Sequence, residues 1–199
     1  MSLTASTMIE LGSDLPAFSL PDVRTGRTVF FPGAATGNPI LVMFICRHCP
    51  YVVHVKGELA RIGRDYAGKV DIAAISSNDA GYVEEDSPEG LKEMAEESGF
   101  LFPLFYDESQ DVAKNFGAAC TPDFFLFDAD RRLAYRGQLD SSRPGSKIPV
   151  DGSDLRAAMD ALLNGESPSE QQRPSTGCNI KWKAGNQPVY YHSALVNKK

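Results

Sequence analysis

The fold is decided by the stretch from Pro39 to Tyr66, PILVMFICRHCPYVVHVKGELARIGRDY. It opens with a continuous apolar run, Ile40 to Ile45, which is too short for a helix and follows an Asn-Pro pair. Such a run is typical of a strand buried on both faces in a parallel sheet. Beyond it the apolar residues are spaced by three and four, which predicts an amphipathic helix. These residues are Val52, Val55, Leu59, Ile62 and Tyr66.

Two cysteines, Cys46 and Cys49, lie between the predicted strand and the predicted helix. Only a thiolate is nucleophilic, and a free cysteine is mostly protonated at neutral pH. The unpaired N–H groups and the dipole at a helix N-terminus stabilise an anion, and Arg47 and His48 can add positive charge. The pattern therefore predicts a catalytic dithiol at Cys46 and Cys49, tuned by the two residues between them.

The placement of the two cysteines also predicts which of them attacks. Cys46 ends the strand, so we expect its sulfur at the exposed rim of the helix N-terminus, with a lowered pKa. Cys49 lies nearly one turn further on. We expect it to face an apolar floor formed by Val52 and Val53, where desolvation raises the pKa of a thiol. Cys46 is then the nucleophile and Cys49 the resolving thiol.

Metal binding and an inert core position are the two other interpretations of this pair. A structural zinc site needs four ligands, usually from a second Cys or His pair at short spacing. The chain has no second C-x-x-C, and its histidines besides His48 are His54 and His192. Because a strand, a dithiol and a helix occur together, redox chemistry is favoured, and neither a metal nor a cofactor is expected.

The succession of strand, Cys46-Arg47-His48-Cys49-Pro50 and helix resembles the active site of the thioredoxin superfamily. The stretch LGSDLPAFSLPD at residues 11–22, followed by Gly26, resembles the opening of the peroxiredoxin-like branch, the alkyl hydroperoxide reductase and thiol-specific antioxidant group. The resemblance covers about residues 11–163. It implies an α/β thioredoxin-like fold with a central mixed sheet flanked by helices, an N-terminal β-hairpin and a C-terminal tail.

Local signals predict the other elements. The expected strands cover residues 18–20, 28–31, 70–76, 102–106 and 133–137, with one more after Pro122, and the expected helices run from Ser87 to Gly99, over 107–116 and from Ser153 to Gly165. Ser87 and Ser153 are assigned as N-caps. The cluster Glu84, Glu85 and Asp86 is interpreted as a solvated face. We expect a thioredoxin-like domain over residues 11–164 and a linker and tail over 165–199.

Thr121 and Pro122 form the second informative position. A proline that opens an apolar strand is tolerated at the first residue or at an edge. The resemblance implies more, since thioredoxin-like proteins carry a cis-proline here, facing the dithiol. It also implies a substrate-binding role, in which backbone groups of Thr121 pair with an extended substrate as a further strand would.

Three departures limit the resemblance. Thioredoxins carry a buried acid in the core strand, where this chain has Met43, so the usual proton acceptor for the second cysteine is missing. Ile45 and Arg47-His48 replace the usual Trp and Gly-Pro, and a histidine before the second cysteine resembles the oxidising, disulfide-forming members. Peroxiredoxins pair a proline with a threonine before their reactive cysteine, and Pro39 has no such threonine near position 43.

The remaining cysteines, Cys120 and Cys178, are possible accessory thiols. Cys120 precedes Pro122 by two residues, so the fold would bring it near the dithiol, either as a small core residue or in a regulatory or resolving role. Cys178 belongs to a segment, residues 177–183, that alternates like an edge strand. This tail is expected to pack back on the domain because several of its residues are too apolar to remain exposed. They are Ile180, Trp182, Tyr190 and Tyr191.

Composition excludes some partners. The 199 residues carry a formal net charge of −6 and a sequence pI near 5.1, which argues against nucleic acid or an anionic membrane as the main partner. No run is long enough for a membrane span. The first fifteen residues have no basic and apolar export pattern, so the expected location is the cytoplasm. The expected partners are protein or small-molecule disulfides and thiols, with peroxides as another possibility.

Three functions remain open. The favoured one is a thiol–disulfide oxidoreductase that uses a Cys46/Cys49 couple. The alternative is a thiol-dependent peroxidase, in which peroxide oxidises Cys46 to a sulfenic acid that Cys49 resolves. The third is a non-catalytic module for metal carriage or redox sensing. The missing threonine weighs against the second function, and the missing further ligands weigh against metal carriage.

Overall fold

The computed structural model describes residues 3–34 and 36–191. Within these ranges the strands are β1 (Leu3–Ala5), β2 (Phe18–Pro21), β3 (Thr28–Phe31), β4 (Ile40–Phe44), β5 (Asp71–Ser76), β6 (Leu104–Tyr106), β7 (Cys120–Thr121), β8 (Asp123–Phe127), β9 (Leu133–Gly137) and β10 (Thr176–Asn179). The helices are α1 (Pro50–Asp65), α2 (Pro88–Ser98), α3 (Asp111–Phe116) and α4 (Ser153–Leu163), and Glu84–Asp86 forms a 3-10 turn. None of the described helices is long and apolar enough to cross a membrane.

The strand β4 lies in the middle of a five-stranded sheet with the order β6-β5-β4-β8-β9. It runs parallel to β5, with Phe44 beside Ile75, and antiparallel to β8, with Phe44 beside Asp123. All five residues of β4 are buried, as the continuous apolar run predicted. The predicted α/β architecture, a central mixed sheet with helices on both faces, is confirmed.

The side chains of β4 alternate between two apolar layers. Leu41 and Met43 pack with the inner faces of α1, α2 and α4. Val42 and Phe44 pack on the other side with the β2–β3 hairpin and α3, where the rings of Phe44 and Phe116 have centroids 5.5 Å apart. Cys46 and Cys49 belong to the first layer, so the dithiol lies between the sheet and the start of α1.

The helix α1 forms where the apolar spacing predicts it. Pro50 is its first residue, where its missing N–H breaks no hydrogen bond. The predicted stripe is buried, including Val52, Leu59 and Ile62. Full burial of one such side chain contributes about 1.5–3 kcal/mol, so the stripe fixes the helix against the sheet and places its N-terminus at the end of β4.

The chain beyond α4 returns to the domain through β10, which was expected to be an edge strand. It lies instead in the middle of a second, three-stranded sheet with the order β1-β10-β7. Cys178 is opposite Thr121 on one side and Leu3 on the other, and both pairings are antiparallel. Strand β1, which pairs with β10 through Leu3, was not predicted from the sequence. Its three residues are too few to show the alternation of buried and exposed side chains that marks a strand.

Two predicted boundaries are wrong by a few residues. Helix α4 begins at Ser153, but its N-cap is Gly152, whose φ of +66° favours glycine. Helix α3 begins at Asp111 rather than at 107. Asp107 is buried, and its carboxylate accepts hydrogen bonds from the hydroxyl of Ser77 (2.8 Å) and the N–H of Ala113 (3.0 Å). Asp107 therefore anchors the loop before the helix instead of joining it.

Asp123, the first residue of β8 in the five-stranded sheet, has a fully buried carboxyl group. Burial raises the pKa of Asp123 to about 7, although backbone N–H groups, including that of Ala119 at 3.2 Å, act in the opposite direction. The unfolded chain gives an aspartate a pKa of about 3.9. Between pH values of about 4 and 7, Asp123 is protonated in the folded protein but ionised in the unfolded chain. The free energy of unfolding therefore falls as the pH rises through this range.

Replacing Asp123 by asparagine should remove this pH-dependent loss of stability. The variant is expected to gain stability over the wild type as the pH rises from about 4 to about 7, by up to about 4 kcal/mol, and to keep a constant advantage above that range. Urea unfolding of both proteins from pH 4.5 to 8.5 measures the difference. A difference in the free energy of unfolding that does not change with pH would show that Asp123 does not titrate in this window.

Candidate active site

Cys46 follows the last residue of β4 by two positions. Between them, Ile45 extends the pairing with β5, because its N–H donates a hydrogen bond to the carbonyl of Ile75 (2.9 Å). The sulfur of Cys46 is 3.3 Å from the hydroxyl oxygen of Thr121 and 3.7 Å from Nδ1 of His48. The residue has no exposed surface. The prediction that Cys46 lies at an exposed rim is therefore wrong.

Cys49 is the N-cap residue of α1. Its sulfur is 3.2 Å from the carbonyl oxygen of Thr121, to which the protonated thiol donates. It also contacts the thiols of Cys46 and Cys178 and the N–H of Val52 in the first turn of the helix. Cys49 thus occupies the centre of a chain of three sulfurs, with Cys46 on one side and Cys178 on the other.

The two thiols differ in pKa in the opposite sense to the prediction. Burial raises the pKa of Cys46, and the hydrogen bond with Cys49 and the negative charge of Asp86 raise it further. Hydrogen bonds from Cys178, from Cys46 and from the helix N–H of Val52 lower the pKa of Cys49. The two shifts are thus opposite in direction, and the thiol of Cys49 is the more acidic of the pair. The hydrogen bond from Cys178 is the largest contribution to the lowered pKa of Cys49, and the first turn of α1 adds a smaller one.

The apolar floor expected beneath Cys49 is only half present. Val52 is fully buried, whereas Val53 is 50% exposed and points away from the core. The place of Val53 is taken by the tail residue Cys178, which belongs to the same apolar layer as the dithiol. The sulfur of Cys49 is therefore surrounded by other polarisable and hydrogen-bonding groups rather than by aliphatic side chains alone.

Asp86 is the site residue that the sequence analysis missed. It was interpreted as part of a solvated face but is fully buried. Its carboxylate accepts the backbone N–H groups of Arg47 (2.7 Å) and His48 (3.2 Å) and the side-chain amide of Asn78 (2.6 Å). Burial alone would raise its pKa, but the hydrogen bonds from His48 and Asn78 hold the pKa of Asp86 below its ordinary value. An ionised carboxylate thus holds the loop between the two cysteines.

The side chain of Arg47 does not face the thiols. Its guanidinium binds α2, through Glu93 (2.5 Å), the carbonyl of Gly90 (3.0 Å) and Glu97 (3.8 Å). Glycine at residue 90 lets α2 pack against the preceding turn, because a Cβ there would lie 2.3 Å from the carbonyl oxygen of Glu85. The prediction that Arg47 tunes the dithiol by direct charge finds no support in this geometry; Arg47 instead ties the cysteine loop to α2.

His48 does face Cys46, but its ring is hydrogen-bonded to an acid. Its Nδ1 lies 2.5 Å from the carboxylate of Asp86 and 3.7 Å from the sulfur of Cys46. An imidazole nitrogen in this position donates its proton to the closer and charged acceptor. His48 therefore presents to the thiol a ring that is paired with Asp86 by a hydrogen bond, and not an isolated cation.

These three groups, Cys46, His48 and Asp86, could in principle hold a metal ion, since one ligand atom from each lies within 4.8 Å of the others. Ligand atoms around a tetrahedral zinc ion are separated by roughly 3.3 Å or more, given bond lengths of about 2.0–2.3 Å. The 2.5 Å separation of His48 Nδ1 and Asp86 Oδ2 is a hydrogen-bond distance. The geometry therefore matches hydrogen bonding better than metal ligation, and the absence of a metal stays a prediction.

The Thr121-Pro122 peptide bond is cis and lies against the dithiol, as the resemblance implied. Thr121 contacts Cys46 through its hydroxyl and Cys49 through its carbonyl. The expectation that its backbone edge is open to an extended substrate is wrong for this conformation, because Cys178 of β10 already pairs with Thr121. The place of a substrate strand is occupied by the chain's own tail.

The two accessory thiols have different surroundings. Cys120 is fully buried, with its sulfur 3.6 Å from the carbonyl of Pro122, and burial together with the charge of Asp123 raises its pKa. This fits the interpretation of Cys120 as a small core residue. Cys178 is also buried but touches Cys49 directly. No disulfide bond joins any of the four cysteines, all of which belong to the described residues.

Solved structures show what the chain is similar to. It shares 50% identity with an uncharacterized conserved protein from Geobacillus kaustophilus, with a TM-score of 0.89 over 92% of this chain and 97% of that one. A secreted disulfide oxidoreductase from Mycobacterium tuberculosis shares 14% identity, with a TM-score of 0.57 over 73% and 96% of the two chains. Peroxidoxin BcpB from the same organism shares 19% identity, with a TM-score of 0.57 over 78% and 97%.

At these low identities the last two likenesses concern the fold, and they confirm the predicted thioredoxin-like architecture. No curated protein matches the chain at a significant level. The Redoxin family matches residues 10–156, a span that includes the dithiol, Asp86 and the cis-proline. This match and the structural neighbours support a redox enzyme in general terms. The chain belongs to the Redoxin family.

Proposed function

We propose that the protein is a thiol–disulfide oxidoreductase that cycles Cys46 and Cys49 between a dithiol and a disulfide. The observation that carries this proposal is the contact between the two thiols at the N-terminus of α1, with Thr121 against both of them. Sulfurs that already touch need only a small movement to reach the disulfide bond length of about 2.05 Å.

The reaction moves two electrons through two exchange steps. The Cys46 thiolate attacks one sulfur of a partner disulfide, whose S–S bond breaks, and the other partner sulfur leaves as a thiolate that takes up a proton. Cys49 then attacks the sulfur of Cys46 in this mixed disulfide. The Cys46–Cys49 bond forms, and the partner's remaining sulfur is released as a thiol. The partner is reduced and the protein oxidised, and a thiol partner reverses the sequence.

The hydrogen bond between the two thiols supports a role for Cys49 before it resolves the intermediate. The pKa of Cys46 is raised, chiefly by burial, and the pKa of Cys49 is lowered by hydrogen bonds from Cys178 and Cys46, so Cys49 is the more readily ionised of the two. Cys49 can therefore accept the proton of Cys46 as Cys46 attacks. This arrangement replaces the buried acid that is missing at Met43, since the proton acceptor is the second cysteine itself.

A partner disulfide would approach along the groove that His48 lines together with Tyr82, Val83, Trp182 and Tyr191. Cys46 is the cysteine next to His48, whereas Cys49 lies behind it against Cys178. This order supports Cys46 as the thiol that meets the partner. Because β10 covers Thr121, a protein substrate that binds as an added strand must displace it.

Cysteine-to-serine variants test the order of attack. Cys49→Ser removes the resolving thiol and should accumulate a mixed disulfide between Cys46 and a disulfide-bonded substrate such as insulin, whereas Cys46→Ser should trap at least tenfold less. Non-reducing electrophoresis, with and without a reductant, measures the complexes. Cys120→Ser, which changes a buried thiol outside the proposed couple, is the control and should trap neither more nor less than the wild type. Equal trapping by the two active-site variants would contradict the assignment.

A second experiment concerns the hydrogen-bonded pair His48–Asp86. His48→Gln leaves the Asp86 charge near Cys46 without its partner, so the Cys46 thiolate is destabilised and the reduction potential becomes more negative, by about 30 mV for each tenfold change in the exchange constant. The double variant with Asp86→Asn should recover part of this shift. Equilibration with glutathione mixtures measures the potentials.

Arg47→Gln is the matched control for this series, because its guanidinium binds α2 and not the thiol. Its potential is expected to stay close to that of the wild type. A His48→Gln potential that is unchanged or less negative would show that the His48–Asp86 pair does not tune the dithiol.

Peroxide reduction is the second candidate function, and burial of the dithiol is the observation that favours it. A small oxidant can reach a buried thiol that a protein disulfide cannot reach without moving β10. The Cys46 thiolate would attack one peroxide oxygen, giving a sulfenic acid and releasing water or an alcohol after protonation. Cys49 would then attack the sulfur of Cys46 and release water as the disulfide forms.

Stopped-flow kinetics of the reduced protein distinguish the two functions. We expect the second-order rate constant with a protein disulfide to exceed that with hydrogen peroxide, because the threonine that peroxiredoxins place before their reactive cysteine is missing near position 43. Oxidation can be followed by the fluorescence of Trp182 or by acid quenching and alkylation. A faster reaction with peroxide would reverse the assignment in favour of the peroxidase.

A further inference from the structure

The third sulfur of the site comes from the other end of the chain. Cys178 lies on β10, directly opposite Thr121, the residue whose carbonyl is 3.2 Å from the sulfur of Cys49. Cys49 and Cys178 form a hydrogen bond between their side chains. Cys178 is buried in the same apolar layer as Cys46 and Cys49. The proposed function uses two of these thiols and leaves the third unexplained.

Several backbone contacts hold β10 in this position. Ser175 donates from its hydroxyl to the carbonyl of Pro122 (2.6 Å), and the N–H of Ile180 donates to the carbonyl of Ala119 (3.2 Å). Gly177 makes the approach possible, because a Cβ at this residue would lie 2.0 Å from the carbonyl oxygen of Thr121. The chain thus brings Cys178 to the dithiol along the surface where an extended substrate would pair.

We propose that Cys178 is a third redox thiol, which takes the disulfide over from the active-site pair by forming a Cys49–Cys178 bond. This inference rests on the proposed function, because the disulfide that moves is the one formed between Cys46 and Cys49. The tail then acts as an internal substrate. Its strand β10 pairs with Thr121, next to the cis-proline, and the thiol of Cys178 lies against Cys49.

The step is an exchange without a net change in oxidation. Cys178 loses its proton and its sulfur attacks the sulfur of Cys49 in the Cys46–Cys49 disulfide. The Cys49–Cys178 bond forms, the Cys46–Cys49 bond breaks, and Cys46 leaves as a thiolate that takes up one proton. Cys46 is then again a thiol next to His48. The disulfide now joins Cys49 and Cys178, which lie further from the groove than Cys46 does.

Cys120 does not compete for this role. Its sulfur is directed to the carbonyl of Pro122, and its charged neighbour is Asp123 rather than a thiol in hydrogen-bond contact. It therefore offers a matched control, since it is a buried cysteine of the same segment that lies outside the chain of three sulfurs.

The test maps disulfides by mass spectrometry after oxidation of the full chain with oxidised glutathione and rapid alkylation. In the wild type we expect both Cys46–Cys49 and Cys49–Cys178. In Cys46→Ser, where the first disulfide cannot form, the Cys49–Cys178 bond should become the main product, in a monomeric protein. Cys46→Ser/Cys120→Ser should give the same bond in the same yield.

A second experiment displaces β10 but leaves Cys49 and Cys178 unchanged. Gly177→Ala in the Cys46→Ser background should lower the yield of Cys49–Cys178 at least tenfold, because the new methyl group pushes β10 away from Thr121. Gly57→Ala is the matched control, since a Cβ at Gly57 meets nothing within 4 Å. Circular dichroism of each variant checks that the domain is folded.

The outcomes separate this inference from the proposed function. If the wild type forms Cys46–Cys49 but Cys46→Ser forms only mixed disulfides of Cys49 with glutathione, the third-thiol proposal is overturned and the oxidoreductase proposal stands. If the wild type forms no Cys46–Cys49 bond, the proposed function fails, whatever Cys178 does. An unchanged yield in the Gly177→Ala background would also overturn the claim that β10 presents Cys178 to the site.

Discussion

The site depends on the contacts of Thr121. Its hydroxyl lies 3.3 Å from the sulfur of Cys46, its carbonyl oxygen lies 3.2 Å from that of Cys49, and its backbone pairs with Cys178. One residue therefore aligns three thiols that come from a strand end, a helix start and the tail. This position is set by β8, which carries the segment into the central sheet beside β4, so the core pairing of two apolar strands determines the geometry of the chemistry.

Around these sulfurs the protein places buried acids rather than cations. Asp86 holds the loop between the cysteines and pairs with His48, and Asp123 lies at the start of β8 with its pKa raised to about 7. The two carboxyls behave differently because Asp86 receives several hydrogen bonds that keep it ionised, whereas desolvation dominates at Asp123. Burial, the hydrogen bond with Cys49 and the charge of Asp86 raise the pKa of Cys46, whereas hydrogen bonds from Cys178 and Cys46 lower the pKa of Cys49.

Local patterns predicted the fold well because its main elements have strong periods. The continuous apolar run of β4 predicts burial on both faces of the strand, and all five of its residues are buried. The three-and-four spacing of apolar residues in α1 predicts burial of one helix face, which the structure also has. The dithiol and the cis-proline segment followed from these elements and from the family resemblance. What could not be predicted depends on contacts between residues far apart in the sequence.

Asp86 illustrates this limit. It stands in a run of three acids that has the composition of a solvated turn, and only the packing of α2 against the cysteine loop buries it. The exposure of Cys46 was wrong for the same kind of reason, since Thr121, 75 residues later, lies against its sulfur. The reversal of the two thiol pKa shifts has the same origin, because burial dominates at Cys46 and the largest contribution at Cys49 is the hydrogen bond from Cys178 in the tail.

The middle position of β10 has a kinetic consequence. Since this strand is bonded to β1 on one side and to β7 on the other, it cannot swing aside as a free flap, and its release requires two ladders to open together. Such openings are sub-global unfolding events with their own free energy. Each 1.4 kcal/mol of that free energy lowers the open population tenfold. The turnover of a large substrate would then be limited by the stability of a sheet, and residues 3–5, which pair with β10 on the side away from Thr121, would control how often the active site is open.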